Sequence, residues 1–203
     1  MQTSKNLASL RGRAGAEPRY SHTNHGQSYL TFPLEVERLS GAVDILNVVV
    51  SPQLLEQCPV EPGQEYETVG EVRSFNNRSG VGSRLVITFF ARTLSPAQGE
   101  HDNRLELTGV LCKEPVVRRT PLGREICDLL LAVNRRYGRA DYLPCIAWGS
   151  LARSCGHLDV GDTVHMTGRL QSRKYRKVEG LREEERIAYE VSVMSLDPET
   201  TPA

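Results

Sequence analysis

Asn6-Leu-Ala-Ser-Leu-Arg-Gly12 and Asn103-Arg-Leu-Glu-Leu-Thr-Gly109 read against each other, each opening on asparagine and closing on glycine. They stand about 97 residues apart, and the offset persists down the chain. Pro18 matches Pro115 and Gly26 matches Gly123. Phe32, Leu34, Val36 and Arg38 match Leu129, Leu131, Val133 and Arg135, and then Asp44 and Leu46 match Asp141 and Leu143. After a one-residue slip Gly63 meets Gly161 and Gly70 meets Gly168. An insertion at 177–184 then brings Arg84 against Arg186 and Pro96 against Pro198. Chance does not hold one offset across so many glycines, prolines and apolar positions. The chain is two copies of one domain, read as 1–96 and 103–203, with a Ser/Pro/Gly-rich polar linker at 97–102.

Each copy has the period of β-structure. In the second, Leu105, Leu107 and 109–111 alternate with Glu106 and Thr108, which puts the leucines on one face. The run 126–133 predicts a long central strand, and 142–148 a third with Pro144 at an edge or bulge position. Residues 150–155 predict one or two helical turns capped by Ser150, ahead of strands from Val164 and through Ile187, Tyr189, Val191 and Val193. The first copy repeats the series at 7–12, 29–38, 45–50, a helix at 52–57, then 67–75 and 84–91. Five strands with a short helix between the third and fourth is the order of the OB fold, a five-stranded Greek-key barrel. The expected class is therefore all-β, with two tandem OB-fold domains. A β-sandwich also has many short strands, but the helical interruption at one fixed place favours the barrel.

Composition bounds the function. Lys+Arg and Asp+Glu are 25 each, so bulk charge does not advertise a nucleic-acid partner, and any such contact depends on local groups. Five widely spaced cysteines without a C-x-x-C pair argue for reduced, buried thiols, not a disulfide scaffold or zinc ribbon. No signal peptide and no run of roughly 18 apolar residues is present, so a soluble, cytoplasmic protein is expected. His22 and His25 lack a carboxylate or cysteine pair, and the Gly80–Gly82 turn lacks a phosphate-loop lysine. Cys145 has no histidine partner in prospect. No enzyme, metal or cofactor is expected.

Thr120-Pro-Leu-Gly123, Leu131-Ala-Val-Asn-Arg135, Asp141-Tyr-Leu-Pro-Cys-Ile-Ala-Trp-Gly149, Val160-Gly-Asp162, Thr167-Gly-Arg-Leu-Gln-Ser-Arg-Lys-Tyr175 and Tyr189-Glu-Val fall in one order over nearly all of 103–196. In that order they resemble the bacterial single-stranded DNA-binding proteins. The first half carries only echoes: Leu10-Arg-Gly12, Gly70-Glu-Val-Arg73 and Arg84-Leu-Val-Ile87.

The resemblance implies sequence-independent binding and protection of single-stranded DNA in replication, recombination or repair. It places base-stacking rings at Tyr142, Trp148 and Tyr175. Tyr142 and Trp148 share one strand face, and Leu143, Cys145 and Ala147 on the other parity supply an inward set. The competing reading makes the rings core. Tyr175 lies in Arg173-Lys-Tyr-Arg-Lys177, too polar for a core; Tyr189 shares parity with Ile187 and Val191 and reads as core. Arg118, Arg119, Arg135, Arg136, Arg173, Lys174, Arg176 and Lys177 are the expected phosphate contacts.

The first copy has Ile45, Ser51 and Asn77 at the ring positions, none able to stack. Phe75 and the polar tip 76–80, with Tyr20 or Tyr29 nearby, could touch backbone, but an interface or spacer role is expected. Relatives assemble four OB folds, so a homodimer of this chain completes that number. The chain ends without the acidic, apolar-tipped tail that recruits replication proteins in the family, which puts that route in doubt. The alternative function is an adaptor acting through protein contacts, akin to primosomal replication protein N.

Overall fold

Ala8, Leu10 and Ala14 take one parity of β1 (Lys5–Ala14) and are buried, while Lys5, Leu7 and Arg13 take the other and meet solvent. That alternation recurs through the computed structural model, which describes residues 5–77, 84–135, 138–179 and 182–198. The first barrel continues with β2 (Arg19–Asn24), β3 (Gln27–Glu37), β4 (Val43–Val50), α1 (Pro52–Gln57), β5 (Glu65–Asn76) and β6 (Leu85–Pro96). The second repeats the series with β7 (Asp102–Leu111), β8 (Val116–Arg119), β9 (Glu125–Asn134), β10 (Ala140–Trp148), α2 (Gly149–Cys155), β11 (Thr163–Glu179) and β12 (Arg182–Pro198).

In each copy the first strand closes the barrel by pairing twice. β1 pairs with β5 and, at Arg13 and Ala14, with β3; β7 pairs with β11 and, at Val110 and Leu111, with β9. β4 runs parallel to β6 and, likewise, β10 to β12. This is the OB topology, present twice. β6 and β12 bulge at Arg92 and Met194, opposite the steps Val69–Gly70 of β5 and Thr167–Gly168 of β11. A Cβ on Gly168 would collide with the Ser192 carbonyl oxygen, and one on Gly70 with that of Phe90. Gly168→Ala is therefore expected to lower stability by about 1–3 kcal/mol, read as a lower urea midpoint with an unchanged slope.

Two strands escape the sequence reading. β2 and β8 are exposed on both faces and show no alternation. The β2–β3 connection is a two-residue turn with His25 at φ 49 and Gly26 at φ 77, the positive pair of a type I′ hairpin. The helix caps also differ between copies. Ser51 caps α1 by accepting the Leu54 N–H at 3.3 Å. Ser150 does not cap α2: Trp148 holds the N-cap position and gives no side-chain bond, and Ser150 lies inside the helix.

β1 and β7 pair antiparallel from Lys5↔Thr108 to Arg11↔Asp102, so the barrels share one continuous sheet. The strand order reads alike from either end, which makes the chain a pseudo-symmetric pair built on the β1–β7 seam. The stretch expected as a free linker is tied down: Ala97 N–H donates to the Glu65 carbonyl, and Glu37 N–H to His101 Nδ1 at 2.8 Å. The asparagines that open the repeat clamp β5 and β11. Asn6 exchanges two hydrogen bonds with the Val72 backbone, and Asn103 two with that of Leu170.

Two buried carboxylates fasten the barrels across the seam. Asp44, fully buried on β4, accepts Arg38 Nε at 2.7 Å and Nη2 at 2.6 Å, and takes the Ser172 N–H of the other barrel at 2.7 Å. Asp141, fully buried on β10, accepts Arg135 Nε at 2.6 Å and the Ser74 N–H of the first barrel at 2.5 Å. The Ser172 hydroxyl accepts the Ile45 backbone N–H and the Ser74 hydroxyl that of Tyr142. Each ionic group is thus paired and hydrogen-bonded, the condition under which a buried charge is tolerated. Asp44 also holds the Arg38 guanidinium above its ordinary pKa, mainly through their hydrogen bond.

Candidate nucleic-acid interface

β10 presents Tyr142 and Trp148 outward, at 48% and 38% exposure, while Leu143, Cys145 and Ala147 are buried inside the barrel. Six residues of strand separate the rings, roughly 20 Å at the usual rise. Trp148 lies opposite Ile126 of β9, which lies opposite Arg118 of β8, so one cross-strand row carries an aromatic, an aliphatic and a cation. Tyr175 is half-buried on the long β11–β12 hairpin, with the Arg173 guanidinium 5.8 Å from its ring centroid. Tyr189 is also half-buried and packs against the core as expected, while its hydroxyl accepts from Asn47 of the first barrel at 3.1 Å.

The cations divide into two kinds. Arg118 pairs with Asp128 through Nε and Nη2, Arg119 with Glu125 at 3.4 Å, Lys174 with Glu185 at 3.3 Å and Arg173 with Glu190 at 3.8 Å. These are mostly exposed pairs, screened by water and of little net worth to stability. Arg176 is exposed on β11. Arg135 is of the other kind: its guanidinium pairs with the buried Asp141 and donates at 2.9 Å to the Ser74 carbonyl, at the seam between the barrels. Arg136, the side chain of Lys177 and the loop 78–83 lie outside the described residues. Ser74 and Ser172, which complete the seam, gave no sequence signal, because their role exists only once the barrels meet.

Four of the cysteines lie in the second barrel, with Cys127, Cys145 and Cys155 buried. Burial pushes the Cys155 thiol up to about 11 and raises that of Cys145 further. In the unfolded chain such thiols ionise near about 8.5. The folded pKa is the higher one, so this stability is complete below about pH 8.5 and fades as pH climbs toward about 11. Melting temperature is expected to fall between pH 8 and 10.5, and to fall less in a Cys145→Ala/Cys155→Ala variant.

Residues 102–198 match the single-strand binding protein family. The single-stranded DNA-binding protein of Clostridium tetani (strain Massachusetts / E88) is 34% identical over 87 residues, 39% of this chain and 60% of that protein. Single-stranded DNA-binding protein A of Bacillus subtilis (strain 168) is 36% identical over 87 residues, 39% of this chain and 51% of that protein. The chain thus spans about half to three-fifths of the length of these curated relatives. The wild-type single-stranded DNA binding protein from Thermus aquaticus superposes with a TM-score of 0.79, covering 100% of this chain and 96% of that one at 24% identity. That likeness establishes the two-barrel architecture alone.

Proposed function

We propose, from the match of residues 102–198 to the single-strand binding protein family, that this chain coats single-stranded DNA without reading its sequence. Tyr142 and Trp148 support this most directly, being two half-exposed rings on one rigid strand whose inner face is anchored in the core. Stacking needs only a base π-face, and each base held this way is worth roughly 1–3 kcal/mol. Tyr175 and Arg173 extend the track onto the hairpin, and the exposed Arg118, Arg119, Lys174 and Arg176 serve the phosphates. Binding without turnover, in the bacterial cytoplasm during replication, recombination or repair, is the role this chemistry suits. A homodimer would bring four barrels to one strand.

The test is anisotropy of a fluorescent oligo-dT of about 35 nucleotides at several salt concentrations. Affinity is expected to fall by about 0.7 log unit per tenfold rise in salt for each phosphate neutralised. Absence of binding even at low salt would sink the proposal and leave the barrels as a protein-contact scaffold. Sedimentation at micromolar concentration is expected to give twice the chain mass, and a monomer would remove the four-barrel arrangement.

A further inference from the structure

In the second barrel the outward ring Trp148 sits on β10, opposite Ile126 of β9. The repeat puts Ser51 at the place of Trp148 and Tyr29 at the place of Ile126. The aromatic has therefore moved one strand sideways in the first barrel, from the place of β10 to that of β9, and stays at the same level of the same sheet face. Counting ring positions along one strand misses this, because the compensation runs across strands.

Tyr29 is not isolated. The His22 ring from β2 stacks on it at 5.2 Å and 16°, and Phe90 from β6 lies 5.6 Å away on the other side. Tyr29 and Phe90 are half-buried and His22 is exposed, so ring surface stays open to solvent. Between them Val49 of β4, cross-strand partner of both Thr31 and Phe90, is buried. Phe90 occupies the place of Ser192, so this ring too has no counterpart in the second barrel.

Charge follows the rings. The Arg92 guanidinium lies 5.1 Å from the Phe90 centroid, and Arg19 is exposed at the far end of the row Arg19–Thr31–Val49–Phe90. Among the described residues Arg92 pairs with Glu71, the cross-strand partner of Phe90, and Glu71 also holds Arg73, so two guanidiniums converge on that carboxylate. Aromatic faces flanked by cations on an open OB sheet suit a flexible polyanion with exposed bases better than an apolar partner.

We propose that the first barrel holds bases of the same single strand on Tyr29 and Phe90, with Arg92, Arg19 and His22 toward its phosphates. Each chain then offers two ring tracks, carried by different strands of the same fold. The first barrel is a second contact surface and not the spacer that its missing ring positions suggest. This rests on the chain being a single-strand binder.

The experiment compares wild type, Tyr29→Ala/Phe90→Ala and Tyr29→Phe on two strands. Oligo-dT of about 8 nucleotides fits one barrel, and quenching of Trp148, the single tryptophan, reads the second barrel alone. Oligo-dT of about 35 nucleotides, read by anisotropy, engages both. The double variant is expected to bind the long strand about tenfold to a hundredfold more weakly while its Trp148 quenching by the short strand matches wild type. Tyr29→Phe keeps the ring and is expected to bind both as wild type. Wild-type affinity of the double variant for the long strand overturns the inference and leaves the second-barrel site standing. So does a change in its sedimentation mass without a change in binding, which makes this face a subunit contact. Failure of wild type to bind either strand removes the underlying function instead.

Discussion

Trp148→Ser is expected to weaken binding of a 35-nucleotide oligo-dT by about tenfold to a hundredfold while leaving the melting temperature within a few degrees of wild type. The two effects separate because Trp148 holds two positions at once. Its ring stands on the outward face of β10 at 38% exposure, where it is available to a base. Its backbone is the N-cap of α2, and there the indole makes no capping bond. The equivalent Ser51 does make one, to the Leu54 N–H at the start of α1. Serine at 148 would supply the missing cap, worth about 1 kcal/mol, against the loss of partial packing over Ile126. A residue kept for stability would not be a tryptophan here. Anisotropy gives the affinity and calorimetry the melting temperature. Unchanged binding would move Trp148 out of the site, and a melting temperature lower by ten degrees or more would make the ring structural.

The barrels were legible in the sequence because an OB strand buries every second residue, and Leu143, Cys145 and Ala147 against Tyr142 and Trp148 write that period plainly. The helices were legible from length and place, with α1 at the expected residues. What period cannot encode is what lies opposite. β2 and β8 are wet on both faces and carry no alternation. Arg135 reads as a groove cation from its basic neighbourhood, and its pairing with a carboxylate six residues on, brought beside it by the β9–β10 hairpin, is invisible there. The same blindness hides the shift from Trp148 to Tyr29, which needs cross-strand register and not spacing along the chain.

That seam sets up the largest loss of stability expected from a single substitution. Asp141→Ala would leave Arg135 without a carboxylate and Arg73 with only Glu71, both in side chains about four-fifths buried, and would strip the Ser74 N–H of its acceptor. Breaking a buried pair from one side costs about 3–5 kcal/mol, because the surviving charge stays desolvated. Removing Asp128, whose pair with Arg118 is exposed, should cost less than about 1 kcal/mol. Asp44→Ala is the near-mirror experiment, with one difference. The place of Arg73 in the second barrel is taken by Gln171, which bonds Glu190 at 2.9 Å, so Asp44 answers to one guanidinium where Asp141 answers to two. The order of urea midpoints is therefore expected to be wild type, then Asp44→Ala, then Asp141→Ala. Binding should follow the same order, since Ser74 Oγ accepts the backbone N–H of the ring residue Tyr142, whereas Ser172 Oγ accepts that of Ile45, which carries no ring. Midpoints in the reverse order would show that Arg73 draws nothing from Asp141 and that the pseudo-symmetry of the seam is energetically complete.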